Sequence, residues 1–107
     1  MSIVGTWDLT LRTPIGSLAI VYTFTDSDGT VRGTATGKGE TVQLHEITIE
    51  TTESGNHATW RQSVTRPMRL DLDFDVTVTG DRLTGWSRAG RLPRTKVTGS
   101  KRSDLVG

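Results

Sequence analysis

The stretch "TWDLTLRTPIGSLAIVYTF", residues 6–24, decides the fold class. Apolar and polar residues alternate on both sides of "TPIG" (13–16), and this alternation is typical of half-buried β-strands. "TPIG" carries proline and glycine where a type I turn prefers them, so the stretch predicts a β-hairpin. Its apolar residues face each other across the hairpin: Leu11 opposite Leu18, Leu9 opposite Ile20, and Trp7 opposite Tyr22. A slip of one residue would destroy this match, so the turn and the pattern together predict one register.

Similar patterns and turns continue along the chain. The sequence holds 19 threonines and four alanines, a composition that favours strands over helices. We predict eight strands, at residues 3–12, 17–25, 30–37, 42–51, 56–65, 70–79, 82–90 and 95–103. The other turns predict further apolar pairs: Phe24 with Val31 across "DSDG" (26–29), Ile49 with Ala58 and Ile47 with Trp60 across "TESG" (52–55), and Val78 with Leu83 across "GD" (80–81).

Eight consecutive antiparallel strands in one open sheet would leave two exposed edges. Closing the sheet removes these edges, so we predict an all-β, single-domain, up-and-down barrel over residues 1–107. A two-sheet sandwich is the structural alternative. Several residues on the predicted inward face are small: Gly33, Ala35, Gly37, Ala58, Gly85, Ser87, Ala89 and Gly99. These residues either permit the tight coiling of a narrow barrel or leave a cavity inside it.

Composition and charge exclude several classes of protein. The formal net charge is +1, which does not favour binding to nucleic acid or to a membrane surface. Cysteine is absent, which excludes disulfides and thiolate metal sites and fits a cytoplasmic location. No apolar run approaches the ~20 residues of a membrane span. The two histidines lie far apart in the predicted sheet, so we predict no metal site, and no motif indicates a cofactor.

Gly5, Thr6 and Trp7 open the first strand, and Arg102 or its neighbour Lys101 ends the last strand. This combination resembles the calycin superfamily of lipocalins, fatty-acid-binding proteins and avidins. The resemblance implies that Trp7 plugs the closed end of the barrel, with Arg102 packed across it. It also implies that a small, mostly hydrophobic molecule binds inside the barrel. Similar small barrels that resemble allene oxide cyclase are enzymes, which implies a second possible function. In that function the cavity would fold a reactive substrate without a cofactor.

If Trp7 marks the closed end, the loops at the opposite end form the mouth. These loops are mostly basic, so they would attract a carboxylate or a phosphate on the ligand. An ordinary solvated loop surface explains the same charges. The predicted ligand-binding residues are Leu9, Leu11, Leu18, Ile20, Tyr22, His45, Trp60, Gln62, Arg66, Arg69, Val76 and Leu83.

The predicted fourth strand changes phase, because Val42 and Leu44 alternate on one face and Ile47 and Ile49 on the other. A β-bulge near 44–46 would bring both pairs inward. The pairing places His45 opposite Gln62, and the bulge leaves open whether His45 or Glu46 points inward.

A histidine inside the barrel could act as a general base. The enzyme alternative is therefore an isomerase or cyclase that uses His45, Tyr22 and Gln62. A role in ligand binding, or a purely structural role, also accounts for these three residues.

Asp71, Asp73 and Asp75 alternate with apolar residues on the seventh predicted strand, a pattern typical of a solvated outer face. Trp86 is predicted opposite Asp75 and therefore points outward. A large outward aromatic residue can mark an interface. A homo-oligomer formed through this face, or a structural interaction module, is therefore a third interpretation.

Overall fold

The computed structural model describes residues 3–13, 16–37, 39–64 and 70–102. These residues form nine β-strands in one antiparallel sheet. In chain order the strands are β1 (Gly5–Thr13), β2 (Gly16–Ser27), β3 (Thr30–Gly37), β4 (Glu40–Gln43), β5 (His45–Thr52), β6 (Gly55–Val64), β7 (Leu70–Thr79), β8 (Arg82–Ala89) and β9 (Thr95–Lys101). The described segments contain no helix with the length and apolar character that crossing a membrane requires.

The sheet closes almost completely into a barrel. Its strands follow the order β4-β3-β2-β1-β9-β8-β7-β6-β5, so the first strand pairs with the last. The seam lies between β4 and β5, where the Leu44 backbone N–H donates to the Gly33 carbonyl oxygen at 2.9 Å. The predicted all-β up-and-down barrel is confirmed, with nine strands instead of eight.

Three of the predicted hairpins have the predicted register. The confirmed pairs are Leu11 with Leu18, Leu9 with Ile20, and Trp7 with Tyr22 in β1–β2, Ile49 with Ala58 in β5–β6, and Val78 with Leu83 in β7–β8. In each hairpin the turn residues and the apolar alternation point to the same pairing. Agreement between these two independent signals fixes the register.

The pairing predicted for β2 and β3 is wrong by two residues. Val31 lies opposite Asp26 and not opposite Phe24. The turn consists of Asp28 and Gly29, whose φ angles of 54° and 83° are those of a type I′ hairpin. A shift of two residues keeps every side chain on its predicted face, so the composition of the core does not change.

The predicted fourth strand is two strands, β4 and β5, which meet at the buried Leu44. Glu46 has a left-handed φ of 53°, and the register shifts between His45 and Thr48. A bulge therefore lies close to its predicted position. The regular pairing predicted for Ile47 with Trp60 does not form within this irregular stretch. Apolar residues on both sides of the break still pack in or against the core: Val42, Leu44, Ile47 and Ile49.

Trp7 is completely buried at the start of β1, and its indole N–H donates to the Ile3 carbonyl oxygen at 2.7 Å. The cation over the ring is Lys101, whose Nζ lies 5.8 Å from the ring centroid. The match of this position to Arg102 is wrong, because Arg102 forms an exposed ion pair with Asp8 at 2.8 Å. Lys101 lies opposite Trp7 and shares its inward face, so the next residue along the chain points outward.

Candidate functional site

Four aromatic side chains occupy the middle of the barrel: Tyr22 and Phe24 on β2, Trp60 on β6 and Phe74 on β7. Each is exposed by 2% or less. The ring centroids of contacting pairs lie 5.0 to 6.3 Å apart, at distances typical of aromatic packing. Because β2 and β6 lie on opposite walls, this aromatic layer spans the lumen.

Gln62 joins the aromatic layer through its side-chain amide. Its Oε1 accepts a hydrogen bond from the Tyr22 hydroxyl at 2.7 Å and another from the Trp60 indole N–H at 3.1 Å. An indole N–H can only donate, so this contact fixes which end of the amide is the oxygen. The Gln62 Nε2 group then points away from both partners. Gln62 is exposed by only 2%, and its Nε2 has no acceptor among the described residues.

A buried amide nitrogen without an acceptor is costly. The desolvation of such a donor costs about 1–3 kcal/mol unless an acceptor restores the lost hydrogen bond. A carbonyl or carboxylate oxygen of a bound molecule would supply that acceptor. Burial also raises the pKa of Tyr22 above its ordinary value, so its hydroxyl is neutral at physiological pH and acts as a donor toward Gln62. The hydrogen bonds among Tyr22, Trp60 and Gln62 therefore join uncharged side chains.

Nine of the twelve predicted ligand-binding residues lie in the barrel interior, to different depths. Buried in the core are Leu9, Leu11, Tyr22, Trp60, Gln62, Val76 and Leu83. Leu18 and Ile20 are half-buried and pack against that core. Arg66 and Arg69 lie outside the described residues, so their predicted contact with a polar group of the ligand stays a prediction.

His45 does not point into the barrel. Its side chain is exposed, and it lies opposite Arg61 instead of the predicted Gln62. Glu46 is exposed as well. The interpretation of His45 as an inward polar group is therefore wrong, and His45, Tyr22 and Gln62 do not form one cluster. The physical reason is the bulge, which turns both residues between Leu44 and Ile47 toward solvent.

An outer groove with a volume of about 520 Å³ runs across β5, β6, β7 and β8 on the outside of the barrel. Its lining residues are Glu46, Thr48, Thr59, Trp60, Arg61, Asp73, Phe74, Asp75 and Trp86. The Trp60 and Phe74 side chains are buried in the barrel, so these two residues contribute backbone to the floor. The alternation along the chain predicts the outward direction of Trp86 but not the groove beside it.

Two ion pairs and one histidine–carboxylate hydrogen bond join side chains on this face. Arg61 Nε lies 2.9 Å from Asp73 Oδ1 and 3.3 Å from Glu46 Oε2. His57 Nε2 lies 2.6 Å from Asp75 Oδ1. These contacts bring together residues that are far apart in the chain, and the sequence signals them only through the alternation of aspartates along β7. Among the described residues, no three potential ligands converge on a point that could hold a metal ion.

Comparison with known proteins finds no matching family model, no matching curated protein and no matching solved structure.

Proposed function

We propose that the protein binds a small, mostly hydrophobic or amphipathic molecule inside the barrel, with an acceptor oxygen of the ligand on Gln62 Nε2. The observation that carries the proposal is this buried donor without an acceptor among the described residues. Buried polar groups in folded proteins almost always have a hydrogen-bond partner, so an unpaired one indicates a missing partner. The proposed ligand supplies the missing oxygen.

Apolar surface lies near Gln62. Leu72 faces Gln62 across β6 and β7, and it is half-buried. Leu18 and Ile20 are half-buried on the wall formed by β2. Partly exposed apolar side chains close to a buried donor suit a molecule with an apolar body and one polar group.

The basic rim favours a carboxylate as that polar group. The end of β1 and the loop between β8 and β9 both lie at the end of the barrel toward which β6 runs past Gln62. Exposed cations in these segments are Arg12, Arg91 and Arg94, and Lys96 follows near the start of β9. They would raise the local concentration of an anionic ligand.

Membership of the calycin superfamily is part of the same proposal. Gly5-Thr6-Trp7 at the start of β1 and a cation over the Trp7 ring support it. The enzyme alternative is weaker, because the exposed His45 provides no base inside the barrel. Ligand binding is therefore the function that the arrangement favours.

The test uses the side-chain amide signals in nuclear magnetic resonance spectra of ¹⁵N-labelled protein. The chain has only two glutamines, Gln43 and Gln62, and one asparagine, Asn56, so each NH₂ pair can be assigned. The probes are decanoic acid and 1-naphthoic acid. Acetic acid is the control that carries a carboxylate without an apolar body.

We expect saturable shifts of the Gln62 NH₂ pair with the two larger acids, and none with acetic acid. The exposed Gln43 serves as an internal control and should not respond. A Gln62→Met variant keeps a similar shape without the donor, and its affinity should fall about 5- to 10-fold, equivalent to about 1 kcal/mol for one hydrogen bond. The matched control is Thr84→Ala on the exposed face of β8. An unchanged Gln62 pair with both larger acids would overturn the proposal.

A further inference from the structure

The outer groove is separate from the barrel interior, and what it binds does not depend on the proposed function. Its volume of about 520 Å³ lies within the ~300–1,000 Å³ typical of small-molecule sites. It combines one aromatic wall, Trp86, with hydroxyl, carboxylate and guanidinium groups. This combination of lining groups restricts the chemical classes of ligand that the groove could bind.

Trp86 is held in place from outside the groove. The Arg94 guanidinium carbon lies 5.2 Å from the centroid of the Trp86 ring, and Arg94 does not line the groove. A cation–π contact of this kind stabilises one orientation of the indole. A positive charge already on the ring weakens its attraction for a second cation. Trp86 is therefore better suited to contact with a neutral apolar surface.

The polar groups of the groove include both donors and acceptors. Arg61 is held between the carboxylates of Glu46 and Asp73, and His57 holds the carboxylate of Asp75. The Arg61, Glu46 and Asp73 side chains are each more than half exposed, so their polar groups are accessible to a ligand. Three carboxylates and one guanidinium line the groove, so an anionic ligand would meet repulsion.

Two threonines add neutral hydrogen-bonding groups to the floor. Thr48 and Thr59 form a cross-strand pair between β5 and β6, and both line the groove. A hydroxyl can donate and accept, which suits a ligand that is itself rich in hydroxyl groups.

The edge of the groove contains the strained residue of β5. Glu46 is one of two non-glycine residues with positive φ in the described chain, the other lying in the 28–29 turn. Its φ of 53° belongs to the bulge that directs its side chain toward Arg61. Strained residues and bulges concentrate beside functional sites, because they redirect side chains.

We propose that the outer groove binds a neutral carbohydrate. The apolar C–H face of a pyranose ring lies against Trp86, and the sugar hydroxyls exchange hydrogen bonds with Arg61, Asp73 and the two threonines. A pyranose offers an apolar face together with donors and acceptors and carries no net charge. These properties match the aromatic wall, the mixed polar lining and the repulsion of anions.

The test is saturation-transfer and ¹H–¹⁵N nuclear magnetic resonance with methyl glucoside, methyl galactoside, cellobiose and lactose. We expect millimolar binding of at least one sugar, with shifts confined to the groove and including the Trp86 indole N–H. Trp86→Ala should weaken that binding about tenfold or more, whereas Trp86→Phe should retain part of it, because an aromatic surface remains. Thr84→Ala is the matched control on the same face of β8 and should bind like the wild type.

Two sets of results would overturn this proposal. One is the absence of binding by any of the four sugars, whether or not methylguanidinium or choline shifts the groove residues. The other is a dimer in light scattering that buries Trp86 and leaves the sugars without effect. The decanoic acid titration reports on Gln62 inside the barrel, so its outcome is distinguishable from both. Trp86 lies on the outer face, so unchanged backbone spectra of Trp86→Ala will verify that the variant is folded.

Discussion

Two buried nitrogen donors inside the barrel differ in whether the described chain supplies a hydrogen-bond acceptor for them. The Trp7 indole N–H donates to the Ile3 carbonyl oxygen at 2.7 Å. The Gln62 amide Nε2 has no acceptor among the described residues. Both side chains are exposed by 2% or less, so exposure to solvent does not explain the difference. The chain supplies an acceptor for the Trp7 donor with its own atoms, whereas the described residues supply none for the Gln62 donor, where the proposed ligand would bind.

The largest effect is expected at Trp7. Trp7→Ala should lower the free energy of unfolding by about 3–5 kcal/mol, because it empties a fully buried tryptophan site. Guanidinium denaturation followed by circular dichroism measures this loss. A loss below about 1 kcal/mol would contradict the assignment of Trp7 as a structural plug.

Gln62→Met tests the second buried donor, the side-chain amide of Gln62. The substitution removes the acceptor of the Tyr22 hydroxyl and of the Trp60 indole N–H, which destabilises the fold. It also removes the unpartnered Nε2, which offsets part of that loss. We expect a net loss of about 1–3 kcal/mol in the same denaturation experiment. A gain in stability would mean that Gln62 contributes nothing to holding Tyr22 and Trp60.

Tyr22→Phe separates the hydrogen bond from the packing. Loss of the bond to Gln62 should cost about 0.5–1.5 kcal/mol at neutral pH. Burial raises the pKa of Tyr22 above its ordinary 10.0, so above pH 10 the unfolded chain loses this proton more readily than the folded chain. The stability that depends on this proton is present below pH 10 and is lost as the pH rises further.

Denaturation at several alkaline pH values measures this dependence. Tyr22 is the only tyrosine, so the difference between the wild type and Tyr22→Phe isolates its contribution. Parallel declines in the two proteins above pH 10 would contradict the burial of Tyr22.

The smallest effect is expected at Arg102, outside the barrel. The hydrogen bond from Arg102 holds the pKa of Asp8 below its ordinary value of 3.8. Arg102→Ala should return that pKa toward 3.8 and leave the stability at neutral pH nearly unchanged, because the pair is exposed. A carboxyl ¹³C titration measures the pKa. An unchanged Asp8 pKa would contradict the pairing and return Arg102 to consideration as the cation over Trp7.

The hairpins could be predicted because two signals in the sequence agree. In β1–β2 the "TPIG" turn and the alternation of Leu9 and Leu11 point to one register, which the structure has. In β2–β3 the alternation predicts which face of the sheet each side chain lies on. Several different turns within "DSDG" would leave every side chain on that face, so the alternation does not select among them. The choice of Asp28 and Gly29 as the turn depends on their left-handed geometry, which alternation does not report.

The candidate sites were harder to predict than the strands. Gln62 could be named from its place on the inward face of β6. The lack of an acceptor for its Nε2 among the described residues depends on Tyr22 across the lumen and Trp60 on the same strand, which both donate to its Oε1. His45 was misplaced because a left-handed glutamate at position 46 has no local sequence signature, unlike glycine or asparagine. The outer groove depends on contacts among four strands, and no local pattern contains that information.

A crystal structure of the protein grown with decanoic acid tests the central claim most directly. We predict a carboxylate oxygen within about 3.0 Å of Gln62 Nε2, the distance of an N–H···O hydrogen bond, and an alkyl chain against Leu72. The contradicting result is a barrel without the acid in which Gln62 Nε2 donates to an oxygen of the chain itself or to a single buried water. In that case the Gln62 donor, like the Trp7 donor, would have an acceptor without a ligand, and no unpaired donor would indicate a ligand in the barrel interior.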